Sequence, residues 1–438
     1  MLSRRLVLLL AAVAAIAAAC TDADIGAEDR RAGEVIIERP PEHDRDDGDD
    51  VPIAEQPLED RLRALAPRTV GPLTEPIRET SVGCEDDGFV FDQPGCEPAA
   101  MIELSELVTG GPAPDGIPSI DDPRFETVPA AAAWLDERSP VIVLEHGDVV
   151  RLYPLEILIR HEIVNDVVAG DPIAVTYCPL CNSALAFDRV IKGPDGPEVL
   201  EFGTTGRLWR SNLVMYDRQH LELWTQFTGQ QLVGERFLGR TLDRRSTSLL
   251  GFGTAAGLYP DAEVLSRDTG SDHDYERTPY VFYDREDNVP PFLRGDADDR
   301  LPPMTRVVGI HRNSASAAVV VDHLAVEEVV ELEVAGDPIT VWWAPGQASV
   351  LERARVEDGK EVGQAVVFLA EHDGRTLRFA ATGGGRFEDV QTGSIWDLRG
   401  EAVAGPLAGA RLTPLPRDDA LWFAWAVFRP DTTVVGGG

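Results

Sequence analysis

The sequence predicts a mainly β fold with a few short helices (α+β), in which two diverged internal repeats form pseudo-symmetric β-rich subdomains. Short runs of Val, Ile, Leu, Phe and Trp alternate with Gly, Pro, Asp and Asn along most of the chain, which is typical of antiparallel strands joined by hairpins. A sixteen-residue segment also recurs in the second half of the chain, and such recurrence indicates an internal duplication.

The duplication rests on segments 168–183 and 334–349, which read VAGDPIAVTYCPLCNS and VAGDPITVWWAPGQAS. Nine of their sixteen positions are identical at an offset of 166 residues, from 168 to 334, whereas average composition would give about one identity by chance. Weaker matches follow in the same order, LEFGTTG with LRFAATG and DRQHLELW with DVQTGSIW. We expect the first repeat at 118–268, a connection at 269–299 and the second repeat at 300–434.

The local pattern predicts a helix and a hairpin before the end of the first segment. Pro154 suits the first position of a helix, and the apolar residues that follow share one face, which predicts a helix at 154–161. Strands are expected near 162–168 and 173–177. The Ala-Gly-Asp-Pro sequence at 169–172 favours a turn between them.

The first twenty residues have the features of an export signal. Arg4 and Arg5 precede an apolar stretch that ends in small residues at Cys20, which is typical of a signal peptide and not of a fold element. A cysteine directly after Ala19 resembles a bacterial lipoprotein cleavage site, so we expect Cys20 to carry lipid. A plain secretory signal is the alternative, and the paired arginines leave Sec and twin-arginine export both open.

Charge and composition restrict the partners and the location. Residues 21–67 are acidic and Pro-rich, with too little apolar surface to offset chain entropy, so we expect a disordered tether. The chain has a formal net charge of -35, which argues against nucleic acid or anionic membrane surfaces as partners, because both are polyanions. We expect an extracytoplasmic protein that touches the cell membrane only through its N-terminal lipid. A secreted or periplasmic soluble protein is the alternative.

The other four cysteines form two pairs. Cys84 and Cys96 flank a short loop in an N-terminal extension at 68–117, and in an oxidising compartment we expect them to form a structural disulfide. Cys178 and Cys181 form a CxxC motif in the first repeat. This motif is consistent with a redox pair, with two soft metal ligands or with an inert disulfide.

Comparison of the two repeats separates scaffold from possible chemistry. Residues present in both repeats, such as Glu162 and its counterpart Glu328, must at least serve the common fold. A segment that contains Met215 is shortened in the second repeat. Five chemically capable residues of the first repeat are replaced in the second: His161, Asn165, Asp166, Cys178 and Cys181 align with Glu327, Glu331, Leu332, Ala344 and Gln347.

Two chemistries are consistent with these residues. Two thiolates and the His161 imidazole can form a three-ligand site for zinc or copper, with Met215 or water as fourth ligand. Alternatively, a cysteine acts as nucleophile with His161 as base and Asn165 or Asp166 to orient it. The simpler interpretations are a hydrogen-bonded structural histidine and a core methionine. A thioredoxin-type site is not expected, because the sequence after the CxxC alternates like a strand and lacks the required helix.

Several long motifs occur in order between about Gly110 and Thr433: YPLEILIRHEIVND, VTYCPLCNSALAFDR, FGTTGRLWRSNLVMYDRQ, LWTQFTG, SRDTGSDHDYERTPYVFYD and TGSIWD. Together they resemble the prokaryotic family catalogued as domain of unknown function 3179. The resemblance implies an exported protein, often a lipoprotein, and implies no particular reaction. The positions that match the family's motifs are His161, Asn165, Asp166, Cys178, Cys181, Asn212, Met215, Asp217 and Arg218.

The sequence therefore predicts an exported lipoprotein in which His161, Cys178 and Cys181 bind a soft transition metal or perform thiol chemistry. The competing hypothesis is a non-catalytic adhesion or assembly module of the cell envelope whose CxxC is a structural disulfide. The first hypothesis is favoured because a purely structural brace would have less reason to be missing from the second repeat.

Cys20→Ala is expected to release the protein from membranes, because the lipid on this thiol is its predicted anchor. Fractionation of cells that express the parent or the variant, with mass analysis of the parent's N-terminus, checks this. Membrane retention of the variant, together with no acyl mass on the parent, would contradict lipid anchoring.

Overall fold

A computed structural model describes residues 99–437, which form a mainly β protein with few short helices. The strands lie in many small open sheets, which confirms the class predicted from the alternating apolar runs. The export signal with Cys20, the acidic tether and the Cys84–Cys96 loop lie outside the described residues, so the expectations for them stay predictions. Within residues 99–437, no helix has the length and apolar character needed to cross a membrane.

The elements are short and follow one another closely. Single turns of 3-10 helix lie at Leu104–Glu106 and Val356–Asp358. The α-helices are α1 (Val128–Ala131), α2 (Leu155–His161), α3 (Phe252–Leu258), α4 (Val321–Glu327) and α5 (Trp422–Phe428). The strands before residue 300 are β1 (Val108–Thr109), β2 (Phe125–Thr127), β3 (Pro140–His146), β4 (Val149–Pro154), β5 (Ile163–Val168), β6 (Asp171–Cys178), β7 (Ser183–Asp188), β8 (Val190–Gly193), β9 (Gly196–Val199), β10 (Phe202–Trp209), β11 (Asn212–Asp217), β12 (Leu223–Thr225), β13 (Gln231–Val233), β14 (Arg244–Arg245), β15 (Ser248–Gly251) and β16 (Glu263–Leu265).

These strands form three larger sheets and one hairpin. The first sheet has the order β15-β3-β4-β16-β2, the second β14-β7-β6-β5 and the third β1-β10-β11-β12-β13, while β8 pairs with β9. Strands β4 and β16 run parallel, and the strands of the second sheet run antiparallel. Helix α2 carries the chain from the first sheet into the second.

The strands after residue 300 form a further set of sheets. Their orders are β28-β17-β18-β29, β19-β20-β21 and β24-β25-β26-β27, with β22 and β23 as a hairpin. The bounds are β17 (Arg306–Arg312), β18 (Ala315–Val320), β19 (Val329–Val334), β20 (Asp337–Ala344), β21 (Gln364–Leu369), β22 (Glu371–His372), β23 (Arg375–Thr376), β24 (Phe379–Gly383), β25 (Arg386–Asp389), β26 (Ile395–Asp397), β27 (Ala402–Ala404), β28 (Asp418–Leu421) and β29 (Thr433–Val435).

The predicted helix and hairpin before the CxxC are confirmed. Helix α2 begins one residue later than expected, with Pro154 as its N-cap. Strands β5 and β6 pair antiparallel around a turn at Ala169 and Gly170, both of which have positive φ (50° and 94°). Strand β6 then pairs with β7 as far as Cys178 opposite Ser183. The CxxC therefore lies in the turn between β6 and β7.

The largest hydrophobic core combines distant parts of the chain. Phe428 of α5 stacks on Phe227 with ring centroids 4.6 Å apart and meets Trp209 of β10 edge to face at 5.4 Å. Aromatic rings in this arrangement add to the stabilisation that their buried area provides. The sheets around the CxxC thus depend on the C-terminal helix for part of their packing.

Two buried tryptophans each donate a hydrogen bond to a buried aspartate that closes a tight turn. The indole Nε1 of Trp224 lies 2.9 Å from Asp217 Oδ2, and that of Trp396 lies 2.9 Å from Asp389 Oδ2. In both turns the other carboxylate oxygen accepts a backbone N–H from three residues further along the chain. A fully bonded buried carboxylate is tolerated, whereas an unbonded one costs free energy.

Trp224→Phe is expected to lower the free energy of unfolding by about 1–3 kcal/mol, because it leaves an oxygen of a buried carboxylate without its donor. Guanidinium unfolding followed by circular dichroism measures this, with Val199→Ala as control, since Val199 is 49% exposed. An unchanged midpoint and slope for Trp224→Phe would contradict the expectation.

Candidate functional site

The CxxC occupies a tight turn, residues 179–182, between two buried strands. The N–H of Cys181 donates to the Cys178 carbonyl at 3.2 Å, and the N–H of Asn182 donates to the Pro179 carbonyl at 3.3 Å. Asn182 adopts a left-handed φ of 55°, which Asn tolerates better than most residues. The chain then enters strand β7, so the helix of a thioredoxin-type site is absent at this point, as the sequence predicted.

Two distant segments hold this turn in place. The hydroxyl of Tyr283 donates to the Leu180 carbonyl at 2.8 Å, and the N–H of Leu421 donates to the Cys181 carbonyl at 2.9 Å. Tyr283 belongs to the predicted connection, and Leu421 is the last residue of β28. The conformation of the turn is therefore fixed by tertiary contacts as well as by its own sequence.

Beneath the turn lies a buried network of side-chain amides and hydroxyls. Asn212 Nδ2 lies 3.5 Å from the Cys181 sulfur and donates to Gln226 Oε1 at 2.9 Å. Gln226 Oε1 also accepts from the Ser183 hydroxyl at 2.8 Å, and Gln226 Nε2 donates to the Thr176 hydroxyl at 3.0 Å. These side chains are fully buried or nearly so. A fully bonded network of this kind rigidifies its surroundings.

Both sulfurs of the CxxC are free thiols in this structure and both are buried. Burial by itself raises the pKa of Cys178. Hydrogen bonds to its sulfur from the Cys181 side chain and from the backbone N–H groups of Leu213, Cys181 and Leu180 outweigh burial, so the pKa of Cys178 lies below its ordinary value. Backbone N–H groups that converge on one atom form an anion site. Here they favour the thiolate, which is the nucleophilic form.

The pKa of the second sulfur, that of Cys181, is shifted in the opposite direction. Burial, together with the hydrogen bond to Cys178 and the negative charge there, raises the pKa of Cys181 well above its ordinary value. Its sulfur also lies 3.4 Å from the Ser211 carbonyl, which accepts from the thiol. Of the two sulfurs, Cys178 is therefore the one that loses its proton more readily.

Glu162 is the third ionisable group of this arrangement. It follows the last residue of α2 and adopts a φ of 59°, and its carbonyl accepts from the Tyr177 N–H at 2.8 Å. Its side chain is buried. Burial, and the charge of Cys178, raise the pKa of Glu162 well above its ordinary value. The carboxyl group therefore keeps its proton to a higher pH than an ordinary glutamate does.

A cleft opens beside these groups. It encloses about 600 Å³, solvent at its mouth included, and Glu162, Leu180 and Leu213 are among the residues that line it, whereas Cys178 and Cys181 are not. These are the acid and two of the residues whose backbone N–H groups hold Cys178. The other walls are mostly apolar and come from segments 110–117 and 204–208 with Tyr280, Pro291 and Phe292.

The chain is similar in sequence to a known protein family. The family model described as protein of unknown function, DUF3179, matches residues 114–432. The chain belongs to the DUF3179 family. No curated protein and no solved structure matches the chain. The resemblance noted from the motifs is thereby confirmed, and the family contributes no reaction to the interpretation of the site.

His161 matches a DUF3179 motif but does not form one donor group with the cysteines. Its Nδ1–H donates to the Pro118 carbonyl at 2.7 Å, and its Nε2 accepts from the Tyr275 hydroxyl at 2.6 Å. Burial lowers the pKa of His161 to about 4, so the ring is neutral. His161 thus ties the end of α2 to two distant segments, which is the structural interpretation of a lone histidine.

The other predicted site residues bond to or pack among neighbouring strands. Asn165 Oδ1 accepts from the Phe202 N–H at 2.9 Å, which clamps β5 to β10. Asp166 accepts from Arg151 and from the Tyr153 hydroxyl, each at 2.5 Å. Met215 is a fully buried core residue of β11. Of the family's motif positions, Asn212 and the two cysteines meet at the CxxC.

The predicted zinc or copper site lacks a donor set. Among residues 99–437, no group of three or more His, Cys, Asp or Glu side chains is placed to hold a metal ion. Both ring nitrogens of His161 are already hydrogen-bonded, one to the Pro118 carbonyl and the other to the Tyr275 hydroxyl. The three-ligand hypothesis with Met215 as fourth ligand therefore does not fit the described geometry.

Sequence comparison missed Glu162 and Gln226. Glu162 aligns with Glu328 and was therefore expected to serve the common fold, yet Glu162 is buried and Glu328 is only half-buried. No local feature distinguishes the two, because each directly follows a helix with a positive φ (59° and 58°). Gln226 carries no local signal either, because its role depends on pairing with Asn212 and Ser183.

Glu162→Gln is expected to remove a pH-dependent loss of stability. The pKa of Glu162 is higher in the folded state than the ordinary carboxyl value, so its contribution to stability is fully present below about pH 4.3. This contribution is lost as pH rises through the raised pKa. Relative to the variant, the parent should lose about 1.4 kcal/mol per pH unit across that window.

Denaturant unfolding between pH 4 and pH 9 measures this difference, in a Cys178→Ser background so that the thiolate does not contribute. Glu328→Gln is the matched control, because Glu328 has the same backbone conformation at the end of α4 (φ 58°) and should keep the parent's pH dependence. Parallel curves for the parent and Glu162→Gln would show that the acid is not perturbed.

Proposed function

We propose that this protein is an exported, lipid-anchored dithiol oxidoreductase in which Cys178 and Cys181 pass two electrons to an oxidised small molecule. The observation that carries the proposal is the arrangement beside the cleft. Three backbone N–H groups and the Cys181 thiol bond the Cys178 sulfur and lower its pKa, while burial raises the pKa values of Cys181 and of Glu162, whose carboxyl group interacts with Cys178. Perturbed ionisable groups of this kind, gathered at a cleft, are typical of functional sites.

The first chemical step uses Cys178 as nucleophile. Its thiolate attacks one atom of a weak bond in the substrate, and the electron pair of that bond departs with the other atom. The departing group takes a proton, for which Glu162 is the neighbouring donor. The product of this step is a covalent adduct on the Cys178 sulfur.

The second step uses Cys181. Glu162, now a carboxylate, accepts the Cys181 proton, and the Cys181 sulfur attacks the Cys178 sulfur. A disulfide forms, and the group bound to Cys178 leaves with the proton that Glu162 returns. The substrate has gained two electrons, the dithiol has lost two, and Glu162 regains its proton from solvent. A thiol reductant from outside the protein must then reduce the disulfide.

The proposal keeps the thiol chemistry predicted from the sequence and leaves out the metal and His161. It also keeps the lipid anchor at Cys20 and the extracytoplasmic location, which follow from the export signal. Since extracytoplasmic thiols meet oxidants, a redox role suits that location.

We also propose that the two halves of the described chain are diverged copies of one unit, as the recurring sequence predicts. In support, the orders β15-β3-β4-β16 and β28-β17-β18-β29 correspond strand for strand, and each ends in a parallel pair. Glu162 and Glu328 share a positive φ after corresponding helices. The two Trp–Asp turns also correspond. The second copy has Ala344 and Gln347 in place of the cysteines, so we assign it a supporting role.

Redox equilibration of the full chain tests the proposed function. Mixtures of reduced and oxidised dithiothreitol should convert Cys178 and Cys181 reversibly between dithiol and disulfide, as a two-electron couple, with the fold intact. Peptide mass mapping separates this pair from Cys84 and Cys96. With a small oxidant, Cys181→Ser should accumulate an adduct on Cys178, whereas Cys178→Ser should form none on Cys181.

A pair that forms a disulfide only after unfolding would overturn the proposal and favour the adhesion or assembly module. Equal adduct formation on either sulfur would contradict the assigned roles. Met215→Leu is the control, since Met215 is a buried residue of β11 that takes no part in the proposed chemistry.

A further inference from the structure

The cleft beside the CxxC turn has the lining of a small-molecule site. Its walls are mostly apolar and include Ile117, Leu208 and Phe292, and Glu162 is the acidic residue among them. A hydrocarbon group that enters the cleft leaves water, which is favourable. Ligand sites in proteins typically combine such apolar walls with a small number of polar groups that orient the ligand.

Glu162 brings a carboxyl group into this apolar surface. The residue is 8% exposed, and its pKa is shifted by burial and by the charge of Cys178 but by no hydrogen bond. The side-chain oxygens that are both enclosed and unbonded include neither oxygen of Glu162, so its carboxyl group has surface open to the cleft. Buried carboxyl groups normally have hydrogen-bond partners. Here the cleft provides the space for a partner.

The arginine in the lining does not fill that role. Arg207 also lines the cleft, yet no arginine charge shifts the pKa of Glu162. A guanidinium group paired with this carboxyl group would lower its pKa. Glu162 can therefore accept a counter-ion that the described residues do not supply.

A cation is the partner that suits this carboxyl group best. An ammonium group donates charge-assisted hydrogen bonds and brings the opposite charge, and both effects are stronger in an apolar cleft than in water. A hydroxyl group donates only a neutral hydrogen bond, and a carboxylate is repelled. The formal net charge of -35 also attracts cations towards the protein as a whole.

We propose that the cleft binds an apolar primary amine, whose ammonium group pairs with the Glu162 carboxylate while its hydrocarbon group packs against Ile117, Leu208 and Phe292. The inference goes beyond the proposed dithiol function, because the cleft can hold an amine whether or not the cysteines react. The amine does not need to reach either sulfur.

Calorimetric titration of the full chain tests the proposal with four ligands, in about 0.15 M salt to screen non-specific attraction. Benzylamine, benzyl alcohol and benzoate share a ring and differ in their polar group, and methylamine has the charge without the ring. Benzylamine should bind at least about tenfold more tightly than benzyl alcohol, because hydrogen bonds to charged groups are the stronger ones. It should exceed methylamine by a similar factor, since burial of the ring is favourable, and benzoate should show no binding.

Two variants separate the carboxyl group from the apolar walls. Glu162→Gln keeps the size of the side chain and removes its charge, so it should weaken benzylamine binding at least about tenfold and leave benzyl alcohol binding unchanged. Phe292→Ala should weaken both ligands by the same factor and keep their ratio. Glu328→Gln, which follows α4 as Glu162 follows α2, is the matched control and should change neither affinity. A circular dichroism spectrum equal to the parent's establishes that each variant is folded.

Equal binding of benzylamine and benzyl alcohol by the parent would overturn the inference, because the carboxyl group would then select nothing. Absence of benzylamine binding, or full benzylamine binding in Glu162→Gln, would overturn it as well. If Glu162→Gln does not fold, the ranking of the four ligands on the parent still decides the matter. The dithiol function is judged separately, by the redox equilibration of Cys178 and Cys181.

Discussion

The hydrogen bond between the side chains of Asn212 and Gln226 is the contact on which the rest of the site depends. It joins strand β11 to the segment after β12, and Gln226 continues the network to Ser183 at the start of β7. Two sheets that pair with different neighbours are thereby held in one relative position. The N–H of Leu213, the neighbour of Asn212 in β11, bonds the Cys178 sulfur. Because every member of the network is buried, loss of one amide would leave the others short of partners at a cost of about 1–3 kcal/mol.

Burial decides the charge state of the site. Cys178, Cys181 and Glu162 are three acidic groups in a region from which water is largely excluded, where two neighbouring negative charges would repel each other strongly. The directed N–H groups lower the pKa of Cys178, whereas burial in the first place, and the neighbouring Cys178 in the second, raise the pKa values of Cys181 and Glu162. The protons of the site therefore belong to the group as a whole, and removal of one member changes the other two.

The sequence was a good guide to local structure and a poor one to the partners of single side chains. Apolar periodicity and the Ala-Gly-Asp-Pro turn predicted helix α2 and the β5–β6 hairpin, because these depend on residues close together in the chain. The surroundings of His161 and Glu162 depend on segments far away in the sequence. The bonds of His161 lead to Pro118 and Tyr275, and the burial of Glu162 arises from the distant segments that form the cleft. Comparison of the two recurring sequence segments singled out the cysteines but treated a shared glutamate as scaffold, although the two glutamates differ in their burial.

The stabilisation of the Cys178 sulfur by peptide N–H groups has a consequence for how such a site can vary. Every residue except proline supplies the same donor, so positions 180 and 213 are free to change their side chains in other proteins as long as the backbone path is kept. Substitution of each turn residue by alanine would leave the backbone N–H donors in place and so would not reveal them. Detection of this kind of thiolate in distant sequences must therefore rely on backbone geometry, and a proline at either position is the one substitution that would identify a chain in which the sulfur has lost a donor.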